Sequence, residues 1–344
     1  MPDFIVCRSE IEVDEKRKEK IALASGLLIE NIIAAPDVKS IYEVPLIFEK
    51  QNFSEKIIKK LKLKHGKSNL KNWKDLNKKI KLSKNIKNIG IIGKYQKTGN
   101  YILPDSYVCV VEALKHAGWQ LGLQPNLVWM DAENLKNDYS KLDGIIIPQG
   151  WGKRGIEGKI DAIKYARENN VPYLGLCFGM QMAVIEFARN ILKLKGANTT
   201  EADPDTKYPV IHTMDYQKEL IKKHEYGGTI RLGAYDCKIK KGSRLDKIYR
   251  SQSTTHGLLV SERHRHRYEF NNKFKKQFEK AGMIISGTSP DGKLVEAIEL
   301  PKLKFFVGTQ FHPEYKSRPL SPHPLFIEFL KSTLTEPISK HKTV

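Results

Sequence analysis

The chain has 344 residues, 40% of them apolar and 28% charged, with a net charge of +20. That length suits about two domains, and the recurrent apolar segments exclude global disorder. No apolar run reaches the roughly 18–20 residues that a bilayer-spanning helix needs, so no transmembrane helix is expected. The N-terminus, MPDFIVCRSE, carries neither a basic leader nor a long apolar core, so no secretory signal is read. The four cysteines, Cys7, Cys109, Cys177 and Cys237, lie far apart with no CxxC pair. A zinc ribbon or disulfide framework is therefore not expected, no metal site is read, and a reducing cytoplasm fits. Of the 59 basic residues 47 are Lys, and Ile and Asn are abundant. Such a bias follows from an AT-rich genome, and no base-reading module is present, so neither a nucleic-acid nor a membrane partner is expected.

In chain order, residues 1–48 read as β-α-β. Phe4-Ile5-Val6 and Ile32-Ile33-Ala34-Ala35 are short apolar runs, and Glu15 to Ile29 is helical, capped by Asp14. Residues 49–88 read as a basic helical connector. From 50 to 88 there are 14 Lys against two acids, Glu55 and Asp75, yet Ile57, Ile58 and Leu61 recur at helical spacing. Residues 89–335 alternate strand and helix, with 336–344 as a tail. Ile89–Gly93, Gly144–Pro148 and Val171–Leu176 read as buried strands. Tyr107–Gly118, Ile156–Asn169 and Met180–Ile191 read as helices. This alternation implies an α/β domain with a mostly parallel sheet covered by helices on both faces. The stretch 229–300 has more period-two alternation and reads as antiparallel additions.

The segment Tyr173-Leu174-Gly175-Leu176-Cys177-Phe178-Gly179-Met180-Gln181 carries the most chemistry. A buried strand runs into Gly-x-Cys-x-Gly and then a helix, which is the cysteine form of a nucleophile elbow. The helix N-terminus favours thiolate at Cys177, and the Phe178 amide can donate to an oxyanion formed beside it. A nucleophilic cysteine needs a base. An apolar strand leads to Gln310-Phe311-His312-Pro313-Glu314. Pro313 pushes His312 into an extended conformation, which sets Glu314 on the same side to orient the imidazole. For Arg263-His264-Arg265-His266-Arg267, the plainer reading is a solvated basic strand.

The elbow together with Gln-Phe-His-Pro-Glu resembles the class I glutamine amidotransferases. Glu262-Arg263-His264-Arg265-His266-Arg267-Tyr268-Glu269 resembles the CTP synthase family more narrowly. So do Arg154–Lys159, Gly227–Gly233, Leu294-Val295-Glu296, and, near the N-terminus, Pro2–Ser9 and Asp37–Tyr42. The resemblance spans roughly residues 2 to 335. It implies a flavodoxin-like amidotransferase domain preceded by an incomplete Rossmann-like amidoligase segment, residues 1–48. It implies hydrolysis of L-glutamine for the ATP-dependent amination of UTP to CTP. Cys177 is then the nucleophile, His312 the acid/base and Glu314 its orienter. Phe178 and Gly150 form the oxyanion hole, and Gly150, Gln181, Glu201 and Arg267 hold glutamine. Arg8, Lys20, Asp37 and Val38 match ATP or UTP positions. Trp151 and Arg154 lie where the activator GTP binds. Mg2+ belongs with ATP and UTP, and a tetrameric homo-oligomer is implied.

The sequence also departs from the family. Gln149 stands in Pro148-Gln149-Gly150-Trp151-Gly152 where the family has a glycine, so a restricted backbone φ is expected at the oxyanion hole. A short insertion lies near Lys97 to Tyr101, and Pro36 replaces a usual Lys. No phosphate-binding glycine-rich loop with Lys is present. The expectation is a glutaminase portion that relies on a synthetase domain or chain. Two alternatives stand beside it. One is another class I glutaminase, serving GMP, anthranilate or carbamoyl phosphate synthesis or γ-glutamyl hydrolysis. The other is a polyanion-binding protein on an inactive glutaminase scaffold.

Overall fold

A computed structural model describes residues 1–64, 68–94, 97–98, 101–214, 230–251 and 258–334. Tyr95, Gly227–Thr229 and the 336–344 tail lie outside the described residues. The chain divides into two compact units, Met1–Leu82 and Ser83–Val344.

In the first unit, β1 (Ile5–Ser9) and β2 (Ile32–Pro36) pair in parallel, with Ile5 opposite Ile32 and Ser9 opposite Pro36. Between them runs α1 (Glu15–Ser25). Its first turn is capped as expected, the Asp14 carboxylate accepting from the Arg17 N–H at 2.8 Å. The helix stops at Ser25 rather than Ile29. Gly26 takes a left-handed conformation, φ 69°, and its N–H turns back to the Ala22 carbonyl, a glycine stop.

Three further helices follow, α2 (Val44–Lys50), α3 (Phe53–Lys60) and α4 (Lys71–Leu82). They are anchored into the first unit. The Gln51 side chain accepts from the Ala34 N–H and donates to the Ala34 carbonyl, both at 2.8 Å, and so caps β2 like a strand neighbour. From α4, the Trp73 indole and the Asn77 amide both donate to the Tyr42 carbonyl at 2.7 Å. Most lysines of α3 and α4 are exposed, although Lys56 donates to the Glu30 carbonyl, and apolar and amide side chains make the other contacts. The basic stretch expected as a connector over 49–88 is thus part of the first unit, which ends at 82. Residues 85–88 already belong to the first strand of the second unit.

Among the described residues the second unit is built on a nine-stranded sheet. Five strands are parallel: β3 (Asn85–Gly93), β6 (Leu123–Asp131), β7 (Gly144–Ile147), β8 (Tyr173–Leu176) and β16 (Phe306–Thr309), in spatial order β6-β3-β7-β8-β16. An antiparallel extension continues from β16 through β15 (Val295–Glu299), β14 (Ile284–Thr288), β11 (Arg231–Ile239) and β12 (Leu259–His266). The insertion near Lys97 forms a small ladder, β4 (Lys97–Thr98) against β5 (Tyr101–Ile102). A smaller sheet joins β9 (Asn198–Thr199), β10 (Pro209–Thr213) and β13 (Tyr268–Phe270).

The central strands are buried on both faces, which is why β7 reads as an uninterrupted apolar run. Ile145 and Ile147 face one core with α6 (Ile156–Glu168) and α7 (Phe178–Asn190). Ile146 faces the opposite core, beneath α5 (Val108–Gln120) and the helix Pro324–Ser332. The strand carboxyl ends of β7, β8 and β16 therefore stand side by side, where open α/β sheets place their sites. Ile146→Ala should cost about 2–5 kcal/mol by leaving a cavity at the middle of this sandwich. The check is a denaturant midpoint that falls while the slope of the transition stays unchanged.

Candidate active site

The site begins where β8 ends. Cys177 has φ 53° and ψ −99°, a conformation that side chains rarely adopt and that persists only where the surroundings enforce it. Its N–H donates to the Thr309 carbonyl of β16 at 2.7 Å, and α7 starts at the next residue. The turn is possible because Gly179 has no side chain: a Cβ there would lie 2.2 Å from the Ile147 carbonyl oxygen of β7. Tyr173 locks the same turn by donating its hydroxyl to the Gly179 carbonyl at 2.9 Å. The positive end of α7 thus points at the sulfur.

The segment after β16 brings the imidazole. Gln310 donates its N–H to the Glu296 carbonyl at 2.8 Å, and His312 donates its N–H to the Arg263 carbonyl at 2.7 Å. His312 Nδ1 lies 2.7 Å from Glu314 Oε1, both side chains almost fully buried. A carboxylate acceptor there requires the proton on Nδ1 and leaves Nε2, buried and without a hydrogen-bond partner among the described residues, on a ring that the Cys177 charge also influences. The expected pairing of residues 312 and 314 is present, but its geometry differs. Pro313–Tyr315 forms a 3-10 turn, not an extended strand, and this turn swings Glu314 back under the ring. Tyr315 stacks on the imidazole at 5.1 Å between centroids. Burial works against a charge on His312. The Glu314 carboxylate and Cys177 outweigh it and hold the imidazole well above its ordinary range.

Around this pair the remaining candidates converge on the loop 148–154. Gly150 lies against Phe178, since a Cβ on it would stand 3.5 Å from that ring. Glu201 accepts from the Gly152 N–H at 2.7 Å. Burial raises the Glu201 carboxyl, opposed by that N–H and by Lys94, Arg267 and Lys159. The Arg267 guanidinium sits 5.9 Å from the Trp151 ring centre. Arg154 is mostly exposed, donating to the Lys94 carbonyl at 2.9 Å and reaching Glu133 at 3.5 Å. Gln181 donates to the Tyr268 carbonyl at 3.0 Å and to Gln310 Oε1 at 3.2 Å. Gln149 does not take a left-handed φ, and its buried Oε1 has no hydrogen-bond partner among the described residues.

Three residues near the sulfur escaped the sequence reading. Gln310 Nε2 lies 3.7 Å from Cys177 Sγ. Lys94 reaches under the loop to the carbonyls of Trp151, Gly152 and Arg154. Lys159, fully buried in α6, holds its ammonium 4.7 Å from the Phe178 ring centre. Burial, with Lys94 adding to it, lowers Lys159 to about 7. A lysine on the apolar face of a helix beside Ile156, Ile160 and Ile163 was the available signal.

The nucleotide candidates belong to the first unit. Arg8 and Asp37 stand at the carboxyl ends of β1 and β2, joined by an exposed 3.1 Å ion pair. Val38 follows, half-buried, and Lys20 is exposed on α1.

Comparison with known proteins agrees with this geometry. The glutamine amidotransferase class-I family matches residues 102–332, and the CTP synthase N-terminus family matches residues 1–63. The chain belongs to the class-I glutamine amidotransferases. Within them its relatives are CTP synthases. That of Caldanaerobacter subterraneus is 49% identical over 97% of this chain, and that of Bacillus subtilis 45% identical over 97%. The chain spans 60% and 61% of those relatives' lengths. The solved glutaminase domain of Trypanosoma brucei CTPS, with bound acivicin, is 35% identical with a TM-score of 0.63. It covers 72% of this chain and 93% of that one.

Within this amidotransferase fold, the His312–Glu314 contact has a measurable consequence. Removing the Glu314 charge removes the larger of the two charges that raise the imidazole, so its proton leaves at lower pH. Glu314→Gln should therefore move the alkaline limb of the kcat/KM profile for glutamine hydrolysis downward. His312→Ala should cost more, about 10²–10⁴-fold in kcat. Steady-state rates across pH for both variants provide the check.

Proposed function

We propose that this chain is the glutamine-hydrolysing portion of a CTP synthase. The observation that carries the reading is the strained Cys177 elbow facing a buried His312–Glu314 pair. Cys177 Sγ attacks the side-chain amide carbon of glutamine, and the carbonyl electron pair moves to oxygen. The Phe178 and Gly150 N–H groups stabilise that oxyanion. His312 gives its proton to the amide nitrogen, the C–N bond breaks, and ammonia leaves a thioester on Cys177. His312 then takes a proton from water, whose oxygen attacks the thioester, and glutamate departs with the thiolate restored. Arg267 pairs with the substrate α-carboxylate and Glu201 with its α-ammonium, while Gln181 lines the site beside Gln310.

The ammonia is proposed to serve a synthetase portion, where ATP phosphorylates UTP and ammonia displaces the phosphate to give CTP. Residues 1–48 are read as the end of that portion, with Arg8, Lys20, Asp37 and Val38 near its nucleotides. Trp151 and Arg154 are proposed to face the activator GTP. A homo-oligomer in the cytoplasm completes the reading. Magnesium is implied with the nucleotides, and it takes oxygen ligands. The described cluster of His264, His266 and Glu296 does not fit it, because two members offer nitrogen and Arg231 already occupies Glu296.

Cys177→Ala should reduce ammonia release from glutamine by at least ~10³-fold while the melting temperature stays close to that of the parent. Substantial residual turnover would remove Cys177 from the role of nucleophile. It would also favour a hydrolytic site elsewhere, whereas a parent chain that releases no ammonia would favour an inactive scaffold.

A further inference from the structure

Beneath the His312 segment lies a second polar cluster that the proposed chemistry does not use. Arg231, on β11, donates to Glu269 at 3.2 Å and to Glu296 at 2.9 Å. Both carboxylates are fully buried, and each keeps one oxygen, Oε2, with no hydrogen-bond partner. One guanidinium cannot neutralise two carboxylates. Of the other groups facing the cluster, His264 Nδ1 lies 3.7 Å from Glu296 Oε2 and His266 Nδ1 3.5 Å from Glu269 Oε1, and they compensate only when protonated. His264 Nδ1 and His266 Nε2 lie 2.9 Å apart in one hydrogen bond, which needs at least one of them neutral. Burial, with Arg231 and His312 adding to it, lowers both imidazoles, His264 to about 3. Tyr235 covers the Arg231 guanidinium at 4.7 Å from its ring centre, and the buried Cys237 thiol stays protonated. His312 bears on the cluster from the active-site side, its charge already held by Glu314.

We infer that Glu269 and Glu296 carry one proton between the two of them beside Arg231 at neutral pH, forming a positioning cluster for the active site. The backbone connections say what it positions. Glu296 offers its own carbonyl to Gln310, two residues before His312. Glu269 follows directly on Arg267 and Tyr268, and the Tyr268 carbonyl holds Gln181. Arg263, on the same strand as His264 and His266, holds the His312 N–H. Three strands thus meet at one cation, and each carries a group that fixes a part of the glutamine site. A second negative charge would repel the first within a dry interior and loosen all three.

The titration agrees in direction. Burial raises both carboxyls, with Arg231 opposing, and the neighbouring Glu296 helps push Glu269 up to about 8. A carboxyl raised in the folded state favours folding most below its unfolded value near 4.5. That contribution is lost as pH climbs toward about 8.

The inference rests on the glutaminase reading only for its activity arm. Glu269→Gln imposes the uncharged form permanently. Its melting temperature should gain on that of the parent chain as pH rises from 5 to 9, by about 2 °C or more. The infrared band of a protonated carboxyl should be present in the parent at pH 7 and fade through about pH 8. It should weaken in Glu269→Gln and in Glu296→Gln alike, since the proton belongs to the pair. The alkaline limb of kcat/KM should move upward in Glu269→Gln, opposite to its movement in Glu314→Gln. No protonated-carboxyl band in the parent at pH 7 would overturn the inference. So would a stability difference for Glu269→Gln that does not change with pH. If both variants fail to fold, the infrared titration of the parent decides alone. A chain that hydrolyses no glutamine but shows the band and the pH-dependent stability would refute the function and leave the shared proton standing.

Discussion

The structure turns on one residue held in a conformation it would not choose. Cys177 sits at φ 53° because β7, β8 and β16 leave its backbone no alternative. The Thr309 carbonyl takes its N–H, and the Ile147 carbonyl crowds the next turn so closely that residue 179 must be glycine. Strain of this kind costs on the order of 1–3 kcal/mol, which the doubly covered sheet can carry. What it achieves is a sulfur set at the N-terminal mouth of a helix, on a residue that is itself buried. The same sheet order sets β16 directly beside β8, so the segment carrying His312 emerges next to the sulfur. Sheet topology, not sequence proximity, makes the pair.

Much of this was legible before any coordinates. The buried strands at 89–93 and 144–147, the helices that follow them, and the elbow itself all announce themselves by apolar runs and glycine spacing. The Asp14 cap was readable for the same local reason. Features set by tertiary contact were not readable. The helix from Glu15 ends at Gly26 because a left-handed glycine was available, although the apolar pattern continues to Ile29. The lysine-rich stretch looks like a solvated connector by composition. Its place in the first unit depends on Gln51, Trp73 and Asn77, three side chains that each find a backbone partner far along the chain.

The basic strand at 259–266 shows the limit most clearly. Its arginines are exposed and its histidines buried, in strict alternation. Composition alone presents it as a charged surface, and half of it is one. The other half is the floor of the site. Period-two alternation of charged and histidine side chains could have suggested two faces with different tasks. Only the position of Arg231 and the two glutamates, which come from other strands, explains why the histidines are drawn inward.

Electrostatics then links the parts. Lys94 and Lys159 flank the Phe178 ring from the loop side, Arg231 lies beneath the His312 segment, and His312 itself is held as a cation by Glu314. Cations this deeply buried are costly unless anions balance them. On the floor the balance comes from resident carboxylates, with Arg231 facing Glu269 and Glu296. On the loop side the opposing groups that bear on Lys159 are Cys177 itself and then Glu201, whose oxygen is already committed to Gly152. The remaining positive potential surrounds the point where the thiolate and then the oxyanion are proposed to form. A site arranged in this way is poorly balanced at rest and best balanced when it holds the negative charge of the reaction. That is the condition under which preorganised charge favours the transition state over the ground state.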